Sequence, residues 1–177
     1  MPKYVSDFLN YDTIKQYKMI YISAGIGSGR TYFIEQLSKQ FRVLIITHRY
    51  KKEWYKLPAY NDLPEVKKYH DGLWAAKPDQ IEKYYYDKYP IIGDPEIDID
   101  ILDLFDIIVI YECHRIVFLE SIDNSYGFYV GKLIEEIKKD NKSCKHLICI
   151  TTVPEPCKEY FFDGYKQNEA LDVNLRN

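Results

Sequence analysis

The sequence predicts an α/β fold with a mainly parallel central sheet flanked by helices, and three observations predict it. Four short apolar, β-branched runs, at residues 19–23 (MIYIS), 42–47 (RVLIIT), 106–111 (DIIVIY) and 146–152 (HLICITT), have the length and near-continuous hydrophobicity of strands buried on both faces. Between the first two, Ile34, Leu37 and Phe41 fall at helical spacing; between the last two, Tyr129, Val130, Leu133, Ile134 and Ile137 do the same. A strand-helix-strand order needs a crossover, which makes the strands parallel and the connection right-handed.

Taken in order, residues 1–18 carry Phe8, Leu9, Ile14 and Tyr17 in a weak helical pattern suited to covering one edge of the sheet. The strand at 19–23 runs into Gly25, Gly27 and Gly29, a flexible turn, with Arg30 and Thr31 opening the first helix. His48, Arg49, Lys51 and Lys52 follow the second strand directly, which puts them at the carboxyl edge of the sheet, where open α/β sheets bind ligands. Prolines 58, 64, 78, 90 and 95 punctuate the next stretch, leaving a short strand at 73–76 and a helix over 79–88 with Ile81, Tyr84 and Tyr85 inward. The acidic string Asp94, Glu96, Asp98, Asp100 and Asp103 alternates with apolar residues and reads as a solvated face. The strongest strand, 106–111, ends in Glu112, Cys113, His114 and Arg115; the helix after it ends in basic Lys138, Lys139 and Lys142, and residues 155–177 are mixed. No repeat or low-complexity linker divides the chain, so one domain over 1–177 is expected, its core at about 19–154 between flanking segments 1–18 and 155–177.

Bulk composition excludes some functions. A net charge of -3 argues against coating nucleic acid through global charge but leaves room for a local basic strip. Eighteen tyrosines among abundant Lys, Ile, Asp and Asn fit an AT-rich coding sequence, which explains Tyr84-Tyr85-Tyr86 better than base stacking does. Cys113, Cys144, Cys149 and Cys157 form no C-x-x-C pair and follow no secretory signal, so reduced thiols in a cytoplasmic or host intracellular compartment are expected rather than secretion. A metal site from Cys144, His146, Cys149 and Cys157 matches no common zinc spacing. No apolar run is long enough to span a bilayer, and no membrane partner is expected.

The stretch AGIGSGRT nearly matches the phosphate-binding pattern G-x-x-x-x-G-K-[ST], with Gly29 and Thr31 in place but Ala24 for the first glycine and Arg30 for the lysine. In an intact P-loop, backbone N–H groups and the helix dipole cradle phosphates, the lysine reaches the outer oxygens, and the hydroxyl holds magnesium. Gly25, Gly27, Ser28, Gly29 and Thr31 retain much of that chemistry. Arg30 keeps the charge in a bulkier planar fork, and Ala24 narrows the dihedral range where the pattern reserves glycine. A glycine turn with a purely structural role is the alternative. Glu112 and His114 read either as a catalytic pair or as a polar strand end. The basic residues 48–52 read either as a grip on a nucleic-acid backbone or as a solvated helix start.

In order, AGIGSGRT, RVLIITHR, DIIVIYECHR and ICITTVP cover most of residues 19–154. Together they resemble the first RecA-like domain of superfamily-two (DExH-type) helicases, and more narrowly the origin-binding replication helicases of large DNA viruses. There a Walker A strand is followed by a segment close to VLIISHR and a D-E-C-H-like Walker B. The resemblance implies a three-layer RecA-like P-loop fold. It implies ATP at Gly25, Gly27, Ser28, Gly29, Arg30 and Thr31, with magnesium on Thr31. It also implies Glu112 as general base and His114 as the residue coupling nucleotide state to nucleic acid. His48, Arg49, Lys51 and Lys52 would hold a single-stranded DNA backbone, and Thr151-Thr152 resembles the Ser-Ala-Thr motif that couples hydrolysis to unwinding. Tyr111 stands where the family has the magnesium-binding aspartate. The residues after Thr152 are expected to be too few for the second RecA-like domain that supplies arginine fingers.

Arg30 and Tyr111 alter two motifs independently. The expectation is therefore a degenerate, catalytically inactive helicase-like domain that binds nucleotide or nucleic-acid backbone weakly, or acts through a protein partner. One alternative is the ATP-binding half of a DNA-replication helicase completed by another chain. Another is a structural or interaction protein, of a virion, that kept the fold and lost the site.

Overall fold

A computed structural model describes residues 3–89, 100–115, 126–139, 146–152 and 158–175. Strands β1 (Met19–Ala24), β2 (Arg42–Ile46), β3 (Tyr55–Lys56), β4 (Gly72–Ala76), β5 (Ile107–Tyr111), β6 (His146–Thr151) and β7 (Ala170–Leu175) form one sheet in the order β3-β4-β2-β5-β6-β1-β7. Every pairing is parallel, from Met19 beside Leu147 and Ala170 at one end to Tyr55 beside Trp74 at the other. Helix α1 (Tyr11–Lys15) precedes the sheet and α2 (Arg30–Leu37) joins β1 to β2. Helices α3 (Pro78–Lys88) and α4 (Ile101–Leu104) lie between β4 and β5, α5 (Tyr126–Lys138) between β5 and β6, and α6 (Lys158–Phe162) before β7.

The strand period of two sorts the core into layers. Met19, Tyr21, Leu44, Ile46, Ile108, Ile110, Leu147 and Cys149 pack with α3, α5 and α6 on one face. Ile20, Ile22, Val43, Ile45, Ile107, Val109, Ile148 and Ile150 pack with α2 and the N-terminal segment on the other. A parallel sheet covered on both faces is a three-layer α/β/α unit, consistent with a RecA-like architecture. No helix among the described residues is long and apolar enough to cross a membrane.

Several elements differ from the sequence expectation for identifiable reasons. Residues 3–15 cover a face rather than an edge, burying Val5, Leu9 and Ile14 beside Phe33 and Ile34. Helix α2 stops at Leu37, so Phe41 packs against the core from beyond it. A 3-10 helix at Tyr60–Lys68 buries Tyr60, Leu63 and Val66, three apart, which suits three residues per turn. Strand β7, within the stretch left as mixed, points Val173 and Leu175 inward and leaves Asp172 and Asn174 exposed.

Asp100 corrects the reading of the acidic string as solvated: it is buried against Lys88, and its side chain caps α4 by accepting from the Leu102 N–H at 2.9 Å. Asp103 is exposed, and residues 94–98 lie outside the described ones. Tyr84 and Tyr85 are core residues, as the inward face of α3 requires. Cys149 is buried in the sheet and the His146 ring faces the Tyr17 carbonyl, while Cys144 and Cys157 lie outside the described residues.

Candidate functional site

Because the strands are parallel, the segments that follow β1, β2, β5 and β6 all emerge at one edge of the sheet. They enclose a cleft of about 850 Å³ lined by Ile26, Arg30, Thr47, His48, Arg49, Tyr111, Glu112, His114, Arg115 and Thr152. Its lining sets three arginines against one glutamate, a basic site in a chain of net charge -3.

The glycine turn borders one wall, contributing Ile26 and Arg30, while Gly25, Gly27, Ser28, Gly29 and Thr31 are not among the cleft-lining residues. Gly27 (φ 84) and Gly29 (φ 74) occupy the left-handed region, where a side chain is penalised. Gly29 caps α2, and the turn is closed by the Ser28 hydroxyl donating to the Gly25 carbonyl at 2.8 Å. Behind it, the Val5 N–H donates to the Ser28 carbonyl at 3.0 Å, and a side chain on Gly29 would meet the Tyr4 ring at 3.3 Å. The N-terminal segment thus braces the loop. Side chains built on Gly25 or Gly27 would meet open space. The N–H groups of Gly27, Gly29, Arg30 and Thr31 have no protein acceptor among the described residues. Donors without a protein acceptor at a helix N-terminus suit a phosphate. Ala24 does not obstruct this: it ends β1 in an ordinary strand pairing with Leu175, so the expected dihedral restriction never applies.

The opposite wall carries Tyr111 and Glu112, and the two walls bond to each other. Arg30, its side chain only 10% exposed, donates from Nη1 to Glu112 Oε1 at 2.8 Å. The Arg30 guanidinium carbon lies 5.4 Å from the centre of the Tyr111 ring. Thr31 Oγ1 and the Tyr111 hydroxyl lie 3.4 Å apart, a long hydrogen bond. Each altered position is thereby paired with a retained one: Arg30 with Glu112, and Tyr111 with Thr31. Glu112 Oε2 accepts from Thr152 Oγ1 at 3.1 Å and lies 3.7 Å from His114 Nδ1. Glu112 (φ 54) is the one non-glycine with positive φ among the described residues, a strained backbone of the kind that clusters at functional sites.

His114 Nδ1 shares a hydrogen bond with Thr151 Oγ1 at 2.9 Å. Burial pushes its imidazole below the ordinary value; Glu112 opposes this and Arg115 adds to it. The unfolded imidazole then takes up a proton before the folded one. The stability it contributes is complete above the ordinary value and is lost as pH falls through the folded one. His114→Gln should therefore lose less stability than the wild type between about pH 7.5 and about pH 5.5. Urea melts at the two pH values measure this, and equal losses in both proteins would remove the assignment.

The four basic residues after β2 do not act as one strip. His48 and Arg49 line the cleft, whereas Lys51 Nζ pairs with Glu35 Oε1 on α2 at 2.7 Å beside Trp54, in a separate groove. Lys52 is exposed and is not among the cleft-lining residues. The cleft instead recruits Arg115, exposed at its rim, and Ile26, 94% exposed at the loop tip. Arg115 was readable from its place next to His114; nothing in the sequence singles out Ile26.

Magnesium does not fit the residues present. Thr31 faces a phenol where a carboxylate would be needed, and both oxygens of Glu112 are engaged. Among the described residues, no three His, Cys, Asp or Glu side chains gather as a metal site. No protein-family model matches the sequence, and no curated protein matches it either.

Proposed function

We infer that this chain is a helicase-like P-loop domain that binds the phosphates of a nucleotide in its basic cleft and does not hydrolyse them. The observation that carries this reading is the cross-pairing of Arg30 with Glu112 and of Tyr111 with Thr31. Phosphoryl transfer in such folds depends on a point charge at the outer phosphate, a metal-holding carboxylate and a base free to orient water. Here an arginine already tied to the base replaces the first, and a tyrosine replaces the second. What remains is binding equipment: the N–H groups of Gly27, Gly29, Arg30 and Thr31, the helix dipole and the arginines of the cleft.

Thermal melting with about millimolar ATP, ADP or inorganic phosphate tests this directly. A rise in Tm with a phosphate ligand and no phosphate release above background are the expected results. No shift with any of the three would sink the reading, and measurable turnover would sink its second half. Arg49 and Arg115, exposed at the rim, favour a second reading in which a single-stranded nucleic-acid backbone crosses the cleft mouth. Binding of single-stranded DNA should then weaken with salt and with Arg49→Ala; undetectable or salt-insensitive binding would remove that reading.

A further inference from the structure

We propose that the cleft selects a nucleoside diphosphate over a triphosphate, because Glu112 and its hold on Arg30 occupy the ground a third phosphate needs. This rests on the reading above that phosphates bind over the glycine turn. In a P-loop the turn's N–H groups hold the inner phosphates, and the residue after the last glycine reaches the outermost one. That residue is Arg30, and its guanidinium ends on Glu112 Oε1 at 2.8 Å. The place where it would meet a third phosphate is held by a carboxylate.

Glu112 cannot readily swing aside. Its second oxygen is bonded to Thr152 Oγ1, its backbone sits in the left-handed region, and its side chain is 22% exposed. A third phosphate would have to take Arg30 from Glu112, leaving two anions side by side in a partly buried site. A divalent cation would ordinarily offset that repulsion, but Tyr111 supplies no carboxylate to hold one. Two phosphates over the turn meet the N–H groups of Gly27, Gly29, Arg30 and Thr31 and avoid Glu112. Arg49 and Arg115, exposed at the rim, favour both ligands alike.

Calorimetric titration of the full chain with ADP and with ATP, each with and without magnesium, tests the proposal. ADP should bind at least about tenfold more tightly than ATP, with magnesium narrowing the gap little. Glu112→Gln, which removes the competing charge and frees Arg30, should erase most of the preference by raising the affinity for ATP. Should that variant fail to fold, an ATP analogue esterified at its γ-phosphate serves on the wild-type chain. As a methyl ester it keeps all three phosphates, adds one small group and drops one charge, and should bind closer to ADP than ATP does. Equal or tighter binding of ATP overturns the proposal while leaving phosphate binding intact. A preference unchanged in folded Glu112→Gln, or an ester that binds no better than ATP, overturns the role of Glu112. If neither nucleotide nor inorganic pyrophosphate binds, the proposal and the reading beneath it both fall.

Discussion

Asp100→Ala should destabilise the protein by about 3 kcal/mol or more, the usual cost of stranding one partner of a buried ion pair. The side chains of Lys88 and Asp100 are 7% and 9% exposed, with Nζ and Oδ2 3.3 Å apart. The ammonium also lies 5.7 Å from the centre of the Tyr84 ring and 5.4 Å from that of Tyr89. Asp100 does a second job through Oδ1, which caps α4 at the Leu102 N–H, while the Tyr84 hydroxyl accepts from the Ile101 N–H at 3.0 Å. Losing the carboxylate therefore strands a charge and a helix end together.

Burial alone would depress Lys88, but Tyr84 and Asp100 outweigh it and hold the ammonium above its ordinary range. A raised lysine contributes its stability in full below the unfolded value and loses it only as pH climbs through the folded one. The deficit of Asp100→Ala should thus be undiminished at neutral and mildly acidic pH. Denaturant melts supply the number, and a loss under about 1 kcal/mol would mean the pair is solvated. Replacing both residues, Lys88→Met with Asp100→Leu, should recover most of the ion-pair share and leave the cap's share missing.

The same residue shows how far a sequence alone reaches. Strands β2, β5 and β6 are legible because burial on both faces makes their central residues a near-continuous apolar run. Strand β7 carries only the period-two alternation of a half-buried edge, a weak signal over six residues. The Tyr60, Leu63 and Val66 repeat has the 3-10 period, and Pro64 inside it reads as a break. Asp100 looks solvated because its neighbours in the chain are acidic; Lys88, on a different helix, reverses that. Local pattern reports which face a residue prefers, not which partner it meets.

The candidate site divides along the same line. The departures at Arg30 and Tyr111 are visible as residue identities, but their partners lie some eighty positions away, on the far side of β6. Lys51 has the charge and the position of a backbone-gripping residue, yet a carboxylate on α2 claims it. Chain order brings the right segments to one edge; side-chain pairing decides what they do there.

That pairing makes the double substitution Arg30→Lys with Tyr111→Asp the most informative change at the site, with an expected gain of magnesium-dependent ATP binding of about tenfold or more. An aspartate at 111 is shorter than the tyrosine it replaces and faces Thr31 Oγ1, now 3.4 Å from the phenol. The space released suits a magnesium ion, which keeps several of its waters and needs only one or two protein oxygens. A lysine at 30 gives up the planar fork that fits Glu112 and offers a compact charge to an outer phosphate. Neither change suffices alone. Arg30→Lys leaves Thr31 facing a phenol, so its nucleotide affinity should stay insensitive to magnesium. Tyr111→Asp leaves Arg30 beside two carboxylates, where it neutralises the charge a cation would need, and it loses the ring contact and the Thr31 hydrogen bond. Turnover should lag binding in the double variant, because Glu112 remains bonded to Thr152 rather than free to orient water. Calorimetric titrations of the four proteins with ATP, with and without magnesium, resolve the non-additivity. If the double variant gains no magnesium dependence, the cleft is not a metal-nucleotide site altered at two positions, and its arginines serve a different anion.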